Sequence, residues 1–180
     1  MHISHILVTI IILLIIIIYI NYYNKYKQDY QLLQIHLNKI DIDLLNEKYP
    51  IVIYDKIINP HDLLKTLFKY IYVFKNIFKI KPILPTINNS KYMLLWNSDN
   101  NIMINIINPK YYKFISWKKQ NSFKISNHSL NDKELEKVQY ITISLKKNQV
   151  LILPMFWIYQ TNNYINIIQL NDIISIWYNY

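Results

Sequence analysis

The chain opens on an unbroken apolar run. Between Ile3 and Ile20 stand ten Ile, three Leu and one Val, with no formal charge. Eighteen residues rise about 27 Å as a helix, close to the ~30 Å of a bilayer's hydrocarbon. At about −0.3 to −0.6 kcal/mol for each aliphatic side chain, these fourteen contribute roughly −4 to −8 kcal/mol to insertion. Ile3, Leu7, Ile11, Leu14 and Ile18 mark successive turns of the expected anchor, and Tyr19, Tyr22 and Tyr23 follow as an interfacial aromatic belt would. A cleaved signal peptide would need a basic start, a shorter apolar core and small residues at the cut. This chain starts Met-His-Ile-Ser-His and leaves the run through Tyr-Ile-Asn-Tyr-Tyr-Asn, which favours a retained anchor.

The period then changes. Tyr26, Tyr30, Leu33, Leu37, Ile40 and Leu44 recur at heptad spacing and predict a juxtamembrane helix over 24–46. Its stripe either associates with a second copy or lies on its own domain; fewer than three heptads favour the second. Tyr49-Pro-Ile-Val-Ile-Tyr54-Asp55 reads as a buried strand. Asn59-Pro60-His61-Asp62 carries a helix start: Asn caps, Pro fits the first position, and Asp sits at the positive end. This helix is expected to run to Ile80, with Leu63, Leu64, Leu67, Ile71, Phe74 and Phe78 on one face. Lys65, Lys69, Lys75 and Lys79 share the other, which would suit anionic lipid or a protein partner, or simply water.

From Lys91 onward short apolar runs alternate with polar punctuation. Tyr92–Trp96, Ile102–Ile107, Tyr111–Trp117, Val138–Leu145, Gln149–Leu153 and Tyr164–Leu170 read as strands, and Ser126–Glu136 as an exposed loop. The predicted class is α+β. A transmembrane helix (1–23) and a juxtamembrane helix (24–46) precede a mainly β domain (47–180), a sandwich or barrel with one or two flanking helices.

Composition changes the weight of several features. The chain has no Gly, no Cys, no Ala and no Arg, so all 20 basic residues are Lys, and the net charge is +9. AT-rich codons supply Ile, Asn, Lys and Tyr, so an AT-biased gene explains the pattern and the charge alone argues little for nucleic acid. Without Cys there is no disulfide, zinc thiolate or cysteine nucleophile. Without Gly there is no phosphate-cradling glycine loop. The five His stand in no metal-ligand spacing. The sequons Asn88-Asn-Ser90 and Asn127-His-Ser129 matter only outside the cytosol. Lys25 and Lys27 follow the anchor and nothing basic precedes it, which places the large domain on the cytosolic side.

One stretch, Gln149-Val-Leu-Ile-Leu-Pro154-Met-Phe-Trp157-Ile-Tyr159, together with the Tyr-Pro-Ile-Val-Ile strand and a hairpin at Asn97-Ser-Asp99, resembles the cupin-like (JmjC-type) domains of the 2-oxoglutarate oxygenase superfamily. The resemblance covers roughly residues 49–170 and implies a jelly-roll. It places Asn97 and Asp99 where that family has a His-x-Asp motif, and Tyr159 where it has its second iron-binding His. An amide and a phenol are poor substitutes for imidazole on Fe(II). The resemblance therefore implies a degenerate site, with no catalytic residue, cofactor or metal. AT bias, anchor and cupin-like stretch together resemble a membrane protein of a large DNA virus.

Three functions follow as expectations. The first is a non-enzymatic, single-pass structural or docking component of a membrane or viral envelope, with the bilayer as partner. The second is an atypical oxygenase, which would gather Asp99 with His61 or His128 around one pocket. The third is a polyanion-binding module, because residues 55–124 hold twelve Lys against three Asp, with Tyr111, Tyr112 and Trp117 interleaved among Lys110, Lys113, Lys118 and Lys119. Nucleic acid is the least favoured partner.

Overall fold

The computed structural model describes residues 2–25, 29–69, 72, 74–117, 128–130 and 138–177. Tyr26, Lys27, Ile71, Lys118, Lys119, Asn127 and most of the expected Ser126–Glu136 loop lie outside these residues.

The apolar run forms α1 (His2–Asn24). It is followed by β1 (Leu33–Ile35), a 3₁₀ turn (Leu37–Lys39), α2 (Ile42–Asn46) and β2 (Ile51–Ile53). The continuous helix expected over 24–46 is therefore replaced by a strand and two short helical turns. β1 pairs in parallel with β2, and Leu33, Ile35, Leu37 and Leu44 pack onto the domain. Their 3–4 spacing serves a stripe that changes element rather than one seam.

Asn59 caps α3 (Pro60–Thr66) as its sequence predicts, its side chain accepting from the His61 N–H at 3.1 Å. The helix ends at Thr66 instead of Ile80. Phe74–Ile80 is strand β3, drawn into a seven-pair ladder with β12 (Ile165–Asn171). Phe78 and Ile80 pack into the core while Lys75, Ile77 and Lys79 face outward, a period of two. The four lysines assigned to one helical face thus separate: Lys65 on α3, Lys69 just beyond it, and Lys75 and Lys79 on β3.

The remaining strands are β4 (Thr86–Ile87), β5 (Tyr92–Trp96), β6 (Ile102–Ile107), β7 (Ile115–Trp117), β8 (His128–Leu130), β9 (Tyr140–Leu145), β10 (Val150–Pro154) and β11 (Ile158–Gln160). A 3₁₀ segment (Pro109–Phe114) takes the first part of the expected Tyr111–Trp117 strand, and a short helix α4 (Ile173–Trp177) follows β12.

Six strands form one sheet in the order β1-β2-β10-β5-β12-β3, and four form a second, β4-β11-β6-β9; β7 and β8 pair separately. Eight of them nest. β3 pairs with β12, β4 with β11, β5 with β10 and β6 with β9, all antiparallel, first with last and working inward. The mixed α+β class is as expected.

Between the sheets lie Met93, Leu95, Leu151, Leu153, Ile165 and Ile167 from one side, and Ile104, Ile106, Ile143, Trp157 and Tyr159 from the other. The opposite face of the six-stranded sheet is covered by Leu45, Ile57, Leu63, Leu64 and Phe68, which pack on Tyr92, Leu94, Val150 and Ile152. Burial on both faces explains why β5 and β10 read as unbroken apolar runs. The four-stranded sheet is half-solvated, so β6 and β9 alternate, with Met103 and Tyr140 exposed.

Candidate functional site

The three positions singled out by the cupin-like resemblance do not converge. Asn97 is buried at the β5–β6 turn. Its amide donates to the Asn100 and Leu145 carbonyls at 2.6 and 3.0 Å, and its oxygen accepts from the Asp99 N–H. Those bonds make it a turn clamp. Asp99 points to solvent and meets Lys79 at 3.6 Å, an exposed pair worth at most about 1 kcal/mol. Tyr159 lies on β11 opposite Ile106 and Thr86, about four residues up β6 from that turn, roughly 13 Å away. Among the described residues no three His, Cys, Asp or Glu side chains gather where they could hold a metal ion. His61 lies in the first turn of α3, and His36 pairs with Asp55 at 3.1 Å.

The residues that do face β11 come from the segment after β4. Asn88 is fully buried and donates to the Leu153 and Pro154 carbonyls at 2.8 and 2.9 Å, while its oxygen accepts from the Ser90 N–H. Its backbone receives the Phe156 N–H at 2.7 Å and donates to Trp157 O. Asn88 therefore ties the β10–β11 connection to β4. With both amide hydrogens engaged inside the fold, it offers the folded domain no glycan acceptor. The short Asn-Asn-Ser stretch carries an Asx-turn signature, the one local signal for this role.

Beside it are three buried polar atoms with no hydrogen-bond partner: Ser90 Oγ, Trp157 Nε1 and Tyr159 Oη. Burial pushes the Tyr159 phenol far above its ordinary range, so it stays protonated. A neutral phenol among aliphatic side chains neither ligates a cation nor moves a proton near neutral pH. The donor set here, an amide already engaged, a hydroxyl and a neutral phenol, does not fit Fe(II).

The second notable place is where α1 meets the domain. Every side chain from Ile6 to Ile20 is exposed, Leu7, Ile11, Leu14 and Ile18 among them at 58, 48, 52 and 66 %. At the C-terminal end contact begins. Tyr19 donates to Asp172 at 3.0 Å and Tyr22 to Asn46 at 2.8 Å. The Lys48 ammonium donates to the carbonyls of Tyr22 and Lys25, the latter at 2.7 Å, and lies 4.1 Å above the Tyr22 ring. A cation there satisfies carbonyls that a helix end leaves open and complements its dipole. Lys91 pairs with the buried carboxylate of Asp172 at 3.2 Å, and Asp172 also caps α4 by accepting from the Ser175 N–H. Tyr22, Lys48, Lys91, Tyr92, Pro154 and Met155 line a shallow cleft at this junction. Burial, then Lys91 and Lys25, lower the Lys48 pKa to about 8. Lys48 and Lys91 are isolated in sequence, and only the fold brings them together.

The other lysines are dispersed. Lys65 lies on α3, Lys69 just beyond it, and Lys75 and Lys79 on β3. Lys110 is turned inward over the Tyr30 and Tyr111 rings, at 5.5 and 5.1 Å. That contact occupies two of the aromatic and basic groups expected to face a polyanion.

Among the described residues one helix, within His5–Tyr22, is long and apolar enough to cross a membrane, with a mean hydropathy of 2.6 and none of it buried. Comparison with protein-family models finds no match, and comparison with curated proteins finds none either.

Proposed function

We propose that this chain is a single-pass, membrane-anchored protein without catalytic activity, a structural or docking component of a membrane or viral envelope. The observation that carries this reading is α1 itself, a helix apolar around its whole circumference and unburied along its whole span. A helix of that kind has no stable place in water. Retention is supported by the bonds from Tyr19, Tyr22 and the α1 carbonyls to Asp172, Asn46 and Lys48, which a cleaved leader would not make. The nested pairing of eight strands in two sheets supports reading the domain as a cupin-like jelly-roll. The non-catalytic part rests on the scattering of Asn97, Asp99 and Tyr159 and on their donor chemistry. The large domain is placed on the basic, cytosol-facing side, with Lys25 adjoining the span.

The test is extraction of the full chain from membranes at alkaline pH. Wild type is expected to stay in the pellet with its N-terminus intact. The double variant Ile11→Lys/Leu14→Lys adds roughly 5–7 kcal/mol to the cost of insertion and is expected in the supernatant with an unchanged domain melting temperature. A wild-type chain in the supernatant, or one trimmed after α1, overturns the anchor. Stoichiometric iron binding with turnover of 2-oxoglutarate overturns the non-catalytic reading.

A further inference from the structure

Two exposed isoleucines stand beside the root of α1. Ile173 opens α4 directly after Asp172, which accepts from the Tyr19 hydroxyl at 3.0 Å, and it is 64 % exposed. Ile42 opens α2 one turn before Asn46, which accepts from the Tyr22 hydroxyl, and it is 56 % exposed. Residues four apart share one face of a helix, so Ile42 lies on the side of α2 that meets α1. α4 carries no charged residue, and Ile174 and Ile176 are only half-buried there.

Their depth follows from α1. Its apolar window ends at Tyr22, and Tyr19 lies inside that end, about 4.5 Å deeper at ~1.5 Å per residue. A group bonded to Tyr19 is carried to the bilayer surface together with α1. Asp172 is that group, and Ile173 is its neighbour in the chain. Asn46 is held in the same way by Tyr22, level with the end of the window. A bilayer that takes up the whole window therefore meets the starts of α2 and α4.

We infer that Ile42 and Ile173 enter the interfacial layer of the bilayer beside α1 and hold the domain against the membrane surface. The contact rests on the anchored reading of α1, and it is apolar. Asp41 and Asp43 flank Ile42 and are exposed, so attraction to anionic lipid does not drive it. Isoleucine in this layer removes apolar surface from water, which headgroup charge and salt affect little.

The chain has no Cys, so one introduced cysteine is a unique labelling site. Ile42→Cys, Ile173→Cys, Leu14→Cys and Ile58→Cys, each carrying a nitrobenzoxadiazole fluorophore, test the contact with the full chain in phosphatidylcholine nanodiscs. Ile58 is the reference. It is 82 % exposed, and the Ile57 N–H bonds to Asn148 O, roughly 20 Å along β10 from Pro154 at the junction. Fluorophores at Ile42 and Ile173 are expected to be blue-shifted and several-fold brighter than at Ile58, and quenched by phosphatidylcholine bearing a nitroxide high on its acyl chain. At Leu14 quenching is expected from a nitroxide deep in the chain, at Ile58 from neither, and high salt is expected to change none of this. Quenching at Leu14 without quenching at both Ile42 and Ile173 overturns the contact and leaves the anchor standing, as does equal quenching at Ile58. No quenching at Leu14 overturns the anchor and the contact with it. Bright fluorophores at Ile42 and Ile173 that no nitroxide lipid quenches are covered by protein, a second copy of this chain included, and overturn the lipid. Quenching that disappears in high salt overturns the apolar contact.

Discussion

Helix α1 and the six-stranded sheet are built from nearly the same side chains and end in opposite environments. β2, β5 and β10 read Ile-Val-Ile, Tyr-Met-Leu-Leu-Trp and Val-Leu-Ile-Leu-Pro, and nearly every residue in them is buried. α1 is as apolar and buries nothing along its span. In the sheet each face has a partner within the chain, one the four-stranded sheet and the other α2, α3 and their flanking loops. Between Ile6 and Ile18 α1 has none among the described residues. Polar atoms follow the same division in reverse. The Thr9 hydroxyl in α1 bonds back to the His5 carbonyl at 2.9 Å, whereas the sheet core leaves Tyr159, Trp157 and Ser90 with unpaired atoms. Apolar content alone therefore does not separate a buried strand from an exposed helix; the presence of a second face does.

Matched substitutions break the comparison most sharply. Leu95→Ala, between the sheets at 0 % exposure, is expected to cost about 2–5 kcal/mol of domain stability, whereas Leu14→Ala should change domain unfolding by less than about 0.5 kcal/mol. Thermal or denaturant unfolding of both variants in micelles checks this, and equal losses would mean that α1 packs on the domain after all. Asn88→Ala comes next. It removes the bonds to the Leu153 and Pro154 carbonyls and leaves the Ser90 N–H without its acceptor in the interior, with an expected loss of about 1–3 kcal/mol in the same assay. The smallest effect has the opposite sign. Tyr159→Phe removes a buried hydroxyl that has no partner, and a gain of about 1 kcal/mol or less is expected as a small rise in melting temperature. A loss there would show that the hydroxyl is satisfied in solution.

Much of the sheet could be read from the residues. Tyr92–Trp96 and Ile102–Ile107 match β5 and β6 end for end, because polar clusters such as Asn97-Ser-Asp-Asn-Asn101 bound them. The Asn59-Pro60 helix start was legible because a cap is a local contact. Phe74–Ile80 was not. Phe74 and Phe78 are four apart, which suits a helix, and also an even number apart, which suits a strand. Pairing with β12 decides between them, and that partner lies far along the chain. The surroundings of Tyr159 were not legible for the same reason. Which turn faces Tyr159 depends on β4 pairing with β11, and nothing local in Thr86-Ile87-Asn88 announces it. The Lys48–Lys91 cleft likewise comes from elements distant in sequence.

The nested pairing also orders events in time. β3 has no partner until β12 exists, and eight strands are made between them. The sheet therefore cannot close until β12 has been made, and long-range pairing of this kind is slow. α1 precedes every strand and needs no other segment to form its hydrogen bonds. A nascent chain thus emerges with α1 complete and its domain open. Until β10 arrives, the apolar strand β5 waits unpaired at the site of synthesis, the stage at which exposed strand edges are most prone to aggregate.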